Sequence, residues 1–169
     1  FGDVGVVTCL PGFTLAGGVE CGADADFVPV GSLPVCSPRS CGVPPEVSGS
    51  SRSAQEVLFQ GNVTYTCDRG HTVGGLATLT REFTRTCLFD GSFSQTGLVC
   101  LPRPCGVPPL AHSASRPDVA VVYGQSVTYT CDSGYAIKPK DVSATTSQLS
   151  CEKDGFVPRM PEMCSPVVC

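Results

Sequence analysis

The sequence predicts an all-β protein, built from small disulfide-rich modules in tandem and drawn out into an extended rod. Three observations predict it. Twelve of the 169 residues are cysteine, close to the share that marks a disulfide scaffold. Those cysteines recur at a fixed interval of 64 residues, and a period held this strictly outranks any local signal. The clearest secondary-structure signals alternate with a period of two, and no stretch shows a 3.6-residue period with caps. A single core of this length would not need so many cysteines, so several small stapled units follow.

The same composition excludes other classes. The longest apolar runs are about five residues, as at Val119–Tyr123, whereas a membrane-spanning helix needs about 20. Phe1–Leu10 lacks the basic start and long apolar core of a signal peptide. With 19 Gly, 15 Pro, no Trp and 15% charged residues, the chain argues against a coiled coil, a helical bundle and a nucleotide-binding α/β fold. The formal net charge is −4, and no stretch holds four or more clustered Lys or Arg. Binding of nucleic acid or an anionic membrane through a basic run is therefore not expected, nor is membrane insertion of this segment. No CxxC occurs, and His71 and His112 are the only histidines, so the paired spacing of a zinc site is absent. The cysteines read as structural disulfides, which places the chain in an oxidising, extracellular compartment with no metal or cofactor expected.

The elements follow in chain order. Residues 1–36 form a first unit with Cys9, Cys21 and Cys36; its "FGDVGVVTCLPGF" places Phe1 eight residues before Cys9. Phe59 and Tyr123 stand at the same distance before Cys67 and Cys131. The Cys9–Cys21 gap is 12 residues against 20 in the later units, so a loop is shortened there. Residues 37–40, "SPRS", are a linker. The second unit, 41–100, opens with "CGVPP", whose prolines fix an extended lead-in. "VSGSSRS" at Val47–Ser53 reads as a loop. "NVTYTC" at Asn62–Cys67 alternates, with Val63, Tyr65 and Cys67 on one face and Asn62, Thr64 and Thr66 on the other. "TREFTRTC" at Thr80–Cys87 is a weaker strand, and Asp90–Gly91 marks a turn. Residues 101–104, "LPRP", are the next linker. The third unit, 105–164, repeats the plan with "CGVPP", a polar loop at His112–Pro117, "SVTYTC", the weaker strand Ala144–Cys151 and a turn at Asp154–Gly155. Residues 165–169 are a third linker, "SPVV", and Cys169, which stands where a further module's first cysteine would be.

These residues name a family. "CG-P" at the first cysteine, an aromatic and Gly ahead of "V-Y-C", "C-x-x-G" followed by Phe, Tyr or His, and "DG" with an aromatic after the third cysteine resemble complement control protein modules, also called sushi domains or short consensus repeats. The resemblance covers essentially the whole chain. Cysteine counting leaves three connectivities per four-cysteine unit. The resemblance implies first-to-third and second-to-fourth pairing: Cys41–Cys87, Cys67–Cys100, Cys105–Cys151 and Cys131–Cys164, with Cys9–Cys36 in the first unit. Each bond would supply about 3–4 kcal/mol by loop entropy, comparable per pair to the stability of a small domain. Where the family usually has Trp, this chain has Phe27, Phe93 and Phe156, which fill a core without an indole N–H to satisfy. Cys21 and Cys169 have no partner within the chain. Their expected partners lie in further sequence of a longer array; the alternative is a Cys169–Cys21 bond between protomers.

Other candidates are few. Asn62 sits in "NVT", a glycosylation sequon, on the exposed side of its strand. The two Ser-rich loops could carry O-glycans on composition alone. His71 reads as a loop aromatic substitute, and His112 beside Ser113 lacks the context of a catalytic serine. Asp24 and Asp26 fit a solvated turn better than a calcium site. The expected function is therefore non-enzymatic: an extracellular structural or adhesive rod, and a repeating segment of a head-to-tail filament, its partners being neighbouring modules or protomers. The alternative is a ligand-binding ectodomain similar to complement regulators and receptors, with an extracellular protein as partner. A third class, an accessory region of a secreted enzyme, would be recognised by a catalytic domain in flanking sequence.

Overall fold

The computed structural model describes residues 8–21, 27–76, 80–158 and 161–168. Among them every regular element is a strand, and every strand pairing with a defined register is antiparallel. The chain divides into two compact units. From here on the first unit is Phe1–Glu46, Arg52–Tyr65 and Phe83–Gly97, and the second unit is Val47–Ser51, Thr66–Glu82 and Leu98–Cys169, in place of the sequence repeats so numbered above.

β1 (Phe13–Cys21) and β2 (Phe27–Pro38) form a long hairpin whose register shifts between Ala16 and Gly18. β3 (Ser50–Arg52), β4 (Asn62–Cys67) and β6 (Glu82–Thr86) form a three-stranded sheet with β4 in the middle. β5 (His71–Val73) pairs with β7 (Cys100–Pro102). The pattern then repeats. β8 (Pro104–Gly106) pairs with β10 (Val121–Val122). β9 (Ala114–Ser115), β11 (Ser126–Cys131), β13 (Thr146–Glu152) and β14 (Gly155–Val157) lie side by side in that order. β12 (Tyr135–Ala136) pairs with β15 (Ser165–Pro166).

Two sequence expectations differ in detail. The two Ser-rich stretches contain short strands, β3 and β9, because each lies alongside the central strand of its sheet; Thr130 and Cys131 of β11 pair with Ser115 and Ala114. His71 begins β5 rather than lying in a loop. The linker residues also take part in pairing: Leu101 and Pro102 belong to β7 and Pro104 to β8.

The alternating pattern of β4 and β11 decides where the core sits. Val63, Tyr65 and Cys67 are buried while Asn62 and Thr64 are exposed; Val127 and Tyr129 are buried while Ser126 and Thr128 are exposed. Tyr65 and Tyr129 each donate a hydrogen bond to a proline carbonyl of the lead-in, Pro45 at 2.8 Å and Pro109 at 2.6 Å. Pro44 and Pro108 are fully buried beneath them. In the second unit Val121, Val127, Tyr129, Leu149 and Cys151 form one cluster, with Phe156 packed against it. Among the described residues five disulfides bind the small cores: Cys9–Cys36, Cys41–Cys87, Cys67–Cys100, Cys105–Cys151 and Cys131–Cys164, with Cα–Cα distances of 5.4 to 5.9 Å. Cys21 has its backbone in β1. Its side chain, that of Phe27, and Phe1, Asp24, Asp26 and Cys169 lie outside the described residues.

Candidate functional site: a basic cleft and a repeated linker contact

The second unit carries a cleft of about 170 Å³ lined by Arg69, His71, Arg81, Arg103, Lys153 and Asp154, with Gly70 and Thr72 at its base. Arg69, Arg81 and Lys153 are exposed, and Arg103 is half-buried. Four cations face one carboxylate. Each is positioned by backbone chemistry. Arg69 lies in the turn closed by the His71 N–H donating to the Asp68 carbonyl at 2.9 Å. Arg81 donates to the Cys67 carbonyl at 2.7 Å, and the Cys67 N–H donates back to the Arg81 carbonyl at 2.7 Å. Arg103 donates to the Lys153 carbonyl, and Lys153 pairs with Asp154. The hydrogen bond from Lys153 is the main cause holding the Asp154 carboxyl below its ordinary value, and the charges of Lys153, Arg103 and Arg69 add to it. The Arg103 Nε–H is buried and without a partner among the described residues.

This cluster is invisible to a search for runs of basic residues, because positions 69, 81, 103 and 153 are scattered along the chain. The available signal was the fold itself. The turn after the second cysteine, the linker, and the turn after the third cysteine converge once the disulfides are in place.

Around the linkers the same contact occurs twice. In the first unit the Arg39 N–H donates to the Gly12 carbonyl at 2.8 Å, and the Phe59 N–H donates to the Arg39 carbonyl at 2.7 Å. In the second unit, 64 residues on, the Arg103 N–H donates to the Gly70 carbonyl at 2.9 Å, and the Tyr123 N–H donates to the Arg103 carbonyl at 2.8 Å. The aromatic rings follow. Phe13 meets Phe59 edge to face at 5.8 Å, and His71 meets Tyr123 in the same way at 6.1 Å. Gly12 and Gly70 both have φ near +80°, and a Cβ on either would fall 2.4 or 2.3 Å from the ring of Phe59 or Tyr123. Glycine is needed there both for its left-handed backbone and for the ring that lies on it.

The remaining candidates are placed as follows. Asn62 is exposed on β4 and accepts a hydrogen bond from Thr86 Oγ1 at 2.7 Å. It lines a groove of about 410 Å³ with Gln55, Glu56, Leu58 and Thr64. His112 is exposed in a turn, and its neighbour Ser113 has φ of 55°. Among the described residues no group of three or more His, Cys, Asp or Glu could hold a metal ion.

Comparison with known proteins bears on the same residues. A family profile described as Sushi repeat (SCR repeat) matches residues 41–100 and 105–164. The rat sushi, von Willebrand factor type A, EGF and pentraxin domain-containing protein 1 is 29% identical over 139 residues, covering 82% of this chain and 4% of the relative. Human complement receptor type 2 is 25% identical over 163 residues, covering 90% of this chain and 14% of the relative. The rat C4b-binding protein alpha chain is 27% identical over 128 residues, covering 73% of this chain and 22% of the relative. The chain thus spans less than a quarter of the length of each of these proteins.

Proposed function

The chain belongs to the sushi repeat family, and on that premise we propose that it is a ligand-binding segment of a larger extracellular protein, recognising an acidic surface of a protein partner through the Arg69–Arg81–Arg103–Lys153 cleft. The extracellular or cell-surface location follows from the family. Among the described residues no helix is long and apolar enough to cross a membrane.

The gathering of four cations around one carboxylate carries the reading. A concave cluster of one sign raises the local concentration of an oppositely charged partner and sets which face it meets. The names of two relatives, complement receptor type 2 and C4b-binding protein alpha chain, agree with a binding role. Binding rather than catalysis is proposed because both histidines are accounted for without chemistry. His71 packs against Tyr123, and His112 sits in an exposed turn. Asn62 is proposed to carry an N-glycan, which a mass loss on enzymatic deglycosylation would show.

The test uses two probes, a polyglutamate peptide and purified C4b, flowed over the immobilised chain. Binding of at least one probe should weaken steeply with added salt. The Arg69→Glu, Arg81→Glu double variant should lower it at least about tenfold while leaving the disulfides intact. Binding unchanged in the double variant, or no binding of either probe at low salt, would overturn the proposal.

A second reading, a structural or adhesive rod within a head-to-tail filament, has its own support in the linker contact that recurs at Gly12 and Gly70. Light scattering on the purified protein decides it: mass that grows with concentration supports a filament, and a constant monomer mass excludes one.

A further inference from the structure

Beside β4 the first unit carries the groove of about 410 Å³, walled by the segment Gln55–Leu58 and by Asn62 and Thr64 of the strand. It exists because β3 is short. β3 stops at Arg52, and its Ser51 hydroxyl donates to the Thr66 carbonyl at 3.4 Å, so it covers only the end of β4. The Gly61 carbonyl accepts from the Cys87 N–H at 2.9 Å, and the Cys67 N–H donates to the Arg81 carbonyl at 2.7 Å, both towards β6. Backbone groups alternate along a strand, so Asn62 and Thr64 turn their N–H and C=O the other way, into the groove. The groove wall is therefore an open strand edge, of the kind that folded proteins keep covered.

The groove's chemistry suits a neutral, part-polar occupant. Val57 and Leu58 offer apolar surface, while Gln55 and Thr64 offer an amide and a hydroxyl. Among the described residues lining it Glu56 alone is charged, and its carboxylate already accepts a hydrogen bond from the Ser40 hydroxyl. Asn62 of the sequon is aimed at this space. Its Oδ1 accepts from Thr86 Oγ1 of β6 at 2.7 Å. Oδ1 and Nδ2 lie on opposite sides of the planar carboxamide, so Nδ2 is turned away from β6 and over the groove. One repeat later Ser126 stands in place of Asn62 and hydrogen-bonds Ser150 at 2.9 Å, with no amide to carry a sugar.

We propose that the groove is the seat of the Asn62 glycan: its first N-acetylglucosamine lies along the Asn62–Thr64 edge of β4 and sets its acetamido methyl on Leu58. This rests on the glycosylation proposed above. Attachment replaces one Nδ2 hydrogen by the sugar C1, the proton and the lipid diphosphate of the donor oligosaccharide leaving, and Oδ1 keeps its bond from Thr86. With the sugar seated, the edge is closed to a strand from a second copy.

The test compares two forms of the full chain. One is secreted by eukaryotic cells and trimmed by an endoglycosidase to a single N-acetylglucosamine; the other is made without sugar in a bacterial periplasm. Mass spectrometry of the Asn62 peptide comes first. No sugar there in the secreted chain would sink the glycosylation itself, and this inference with it. With the sugar in place, exchange of the Asn62 and Thr64 N–H should slow about fivefold relative to the sugar-free chain. The acetamido methyl should also give a nuclear Overhauser contact to the Leu58 methyls. Ser126 and Thr128 of β11, at the same positions one repeat on, should not change and serve as the internal standard. Thr86→Val keeps the sequon but releases the carboxamide, and should remove both effects while the β4 core amides stay protected. A glycosylated chain with unchanged exchange at Asn62 and Thr64 and no contact to Leu58 would overturn the proposal and leave the glycosylation standing. So would concentration-dependent protection of that edge in the sugar-bearing chain, which would make a second copy the occupant.

Discussion

The interiors around Tyr65 and Tyr129 share a frame and differ in their filling. Both tyrosines sit at the same place in "VTYTC", are almost fully buried, and donate to the carbonyl of the last proline of "CGVPP". Opposite them the inward positions of the neighbouring strand have diverged. In β6 they are Phe83 and Arg85. Phe83 stacks on Tyr65 at 4.9 Å with an interplanar angle of 3°, and the Arg85 guanidinium lies 5.3 Å from the Tyr65 ring. In β13, 64 residues later, they are Ser147 and Leu149. Leu149 is completely buried, and the Ser147 hydroxyl is buried without a partner among the described residues. Two disulfides and one tyrosine hydrogen bond therefore tolerate either an aromatic stack capped by a cation or an aliphatic contact beside an orphan hydroxyl.

The largest break in this comparison is predicted at Leu149. Leu149 is completely buried in the cluster around Tyr129, at the place where β6 has Arg85, so Leu149→Ala should cost about 2–5 kcal/mol through lost burial and a residual cavity. Arg85→Ala, at the matching position, removes a cation over two rings and should cost only about 0.5–2 kcal/mol. Amide exchange of β11 and β4 respectively, disulfides intact, measures each. Equal losses at the two sites would mean that the frame, and not the filling, sets local stability.

Next come the tyrosine hydroxyls, where the regions should behave alike. Tyr65→Phe and Tyr129→Phe each remove one of two hydrogen bonds to a proline carbonyl, which keeps its bond from Arg52 at 3.0 Å or Arg116 at 3.1 Å, and each should cost about 0.5–1.5 kcal/mol. A large difference between them in urea unfolding would show that the shared frame is less shared than the distances suggest.

How much of this was legible beforehand follows from what each signal depends on. The period of 64 and the alternation of "NVTYTC" depend on local chemistry, so the repeated plan and the buried face of β4 could be read directly. The Phe-for-Trp replacement could also be read, and Phe93 and Phe156 are half-buried, with Phe156 on the core cluster. The basic cleft could not be read, because it depends on two turns, a linker and the residue before β6 being brought together by the fold. Nor could the role of the linker Arg39 and Arg103, since their backbone atoms, and not their side chains, join Gly12 to Phe59 and Gly70 to Tyr123. Composition marked "SPRS" and "LPRP" as Pro-bearing linkers; only the fold shows that the N–H and C=O groups of Arg39 and Arg103 are both hydrogen-bonded.

A smaller effect of opposite sign is expected at Ser147. Its buried hydroxyl lacks a partner among the described residues, and such a group costs more than the same space filled by a methyl. Ser147→Ala should therefore stabilise the second unit by about 1 kcal/mol. A loss of stability instead would show that the hydroxyl is satisfied, by ordered water for example, and that the β13 interior is no more compromised than that of β6.

The smallest effect separates the two "DG" turns by their electrostatics. Asp90 is held below its ordinary value near 3.8 chiefly by hydrogen bonds from Ser92, which donates both its hydroxyl, at 2.6 Å, and its N–H, at 2.9 Å. Asp154 is held down chiefly by Lys153, with Arg103 and Arg69 adding their charges. Both folded values lie below the unfolded one, so the folded state binds fewer protons. The associated stability is present above about pH 4 and is lost as pH falls through the folded values. Neutral donors are insensitive to salt, whereas exposed charges are screened over a length that shrinks from about 10 Å at 0.1 M to about 3 Å at 1 M. Raising salt across that range should move the Asp154 titration upward and that of Asp90 less, since the charge of Arg39 is the smallest of the causes acting on Asp90, as followed by carboxyl NMR shifts. Ser92→Ala should raise the Asp90 titration at every salt concentration, and Lys153→Met should raise that of Asp154 most at low salt. If the two aspartates respond to salt alike, the cations of the cleft do not act on Asp154 as a group, and the electrostatic contrast between the two turns disappears.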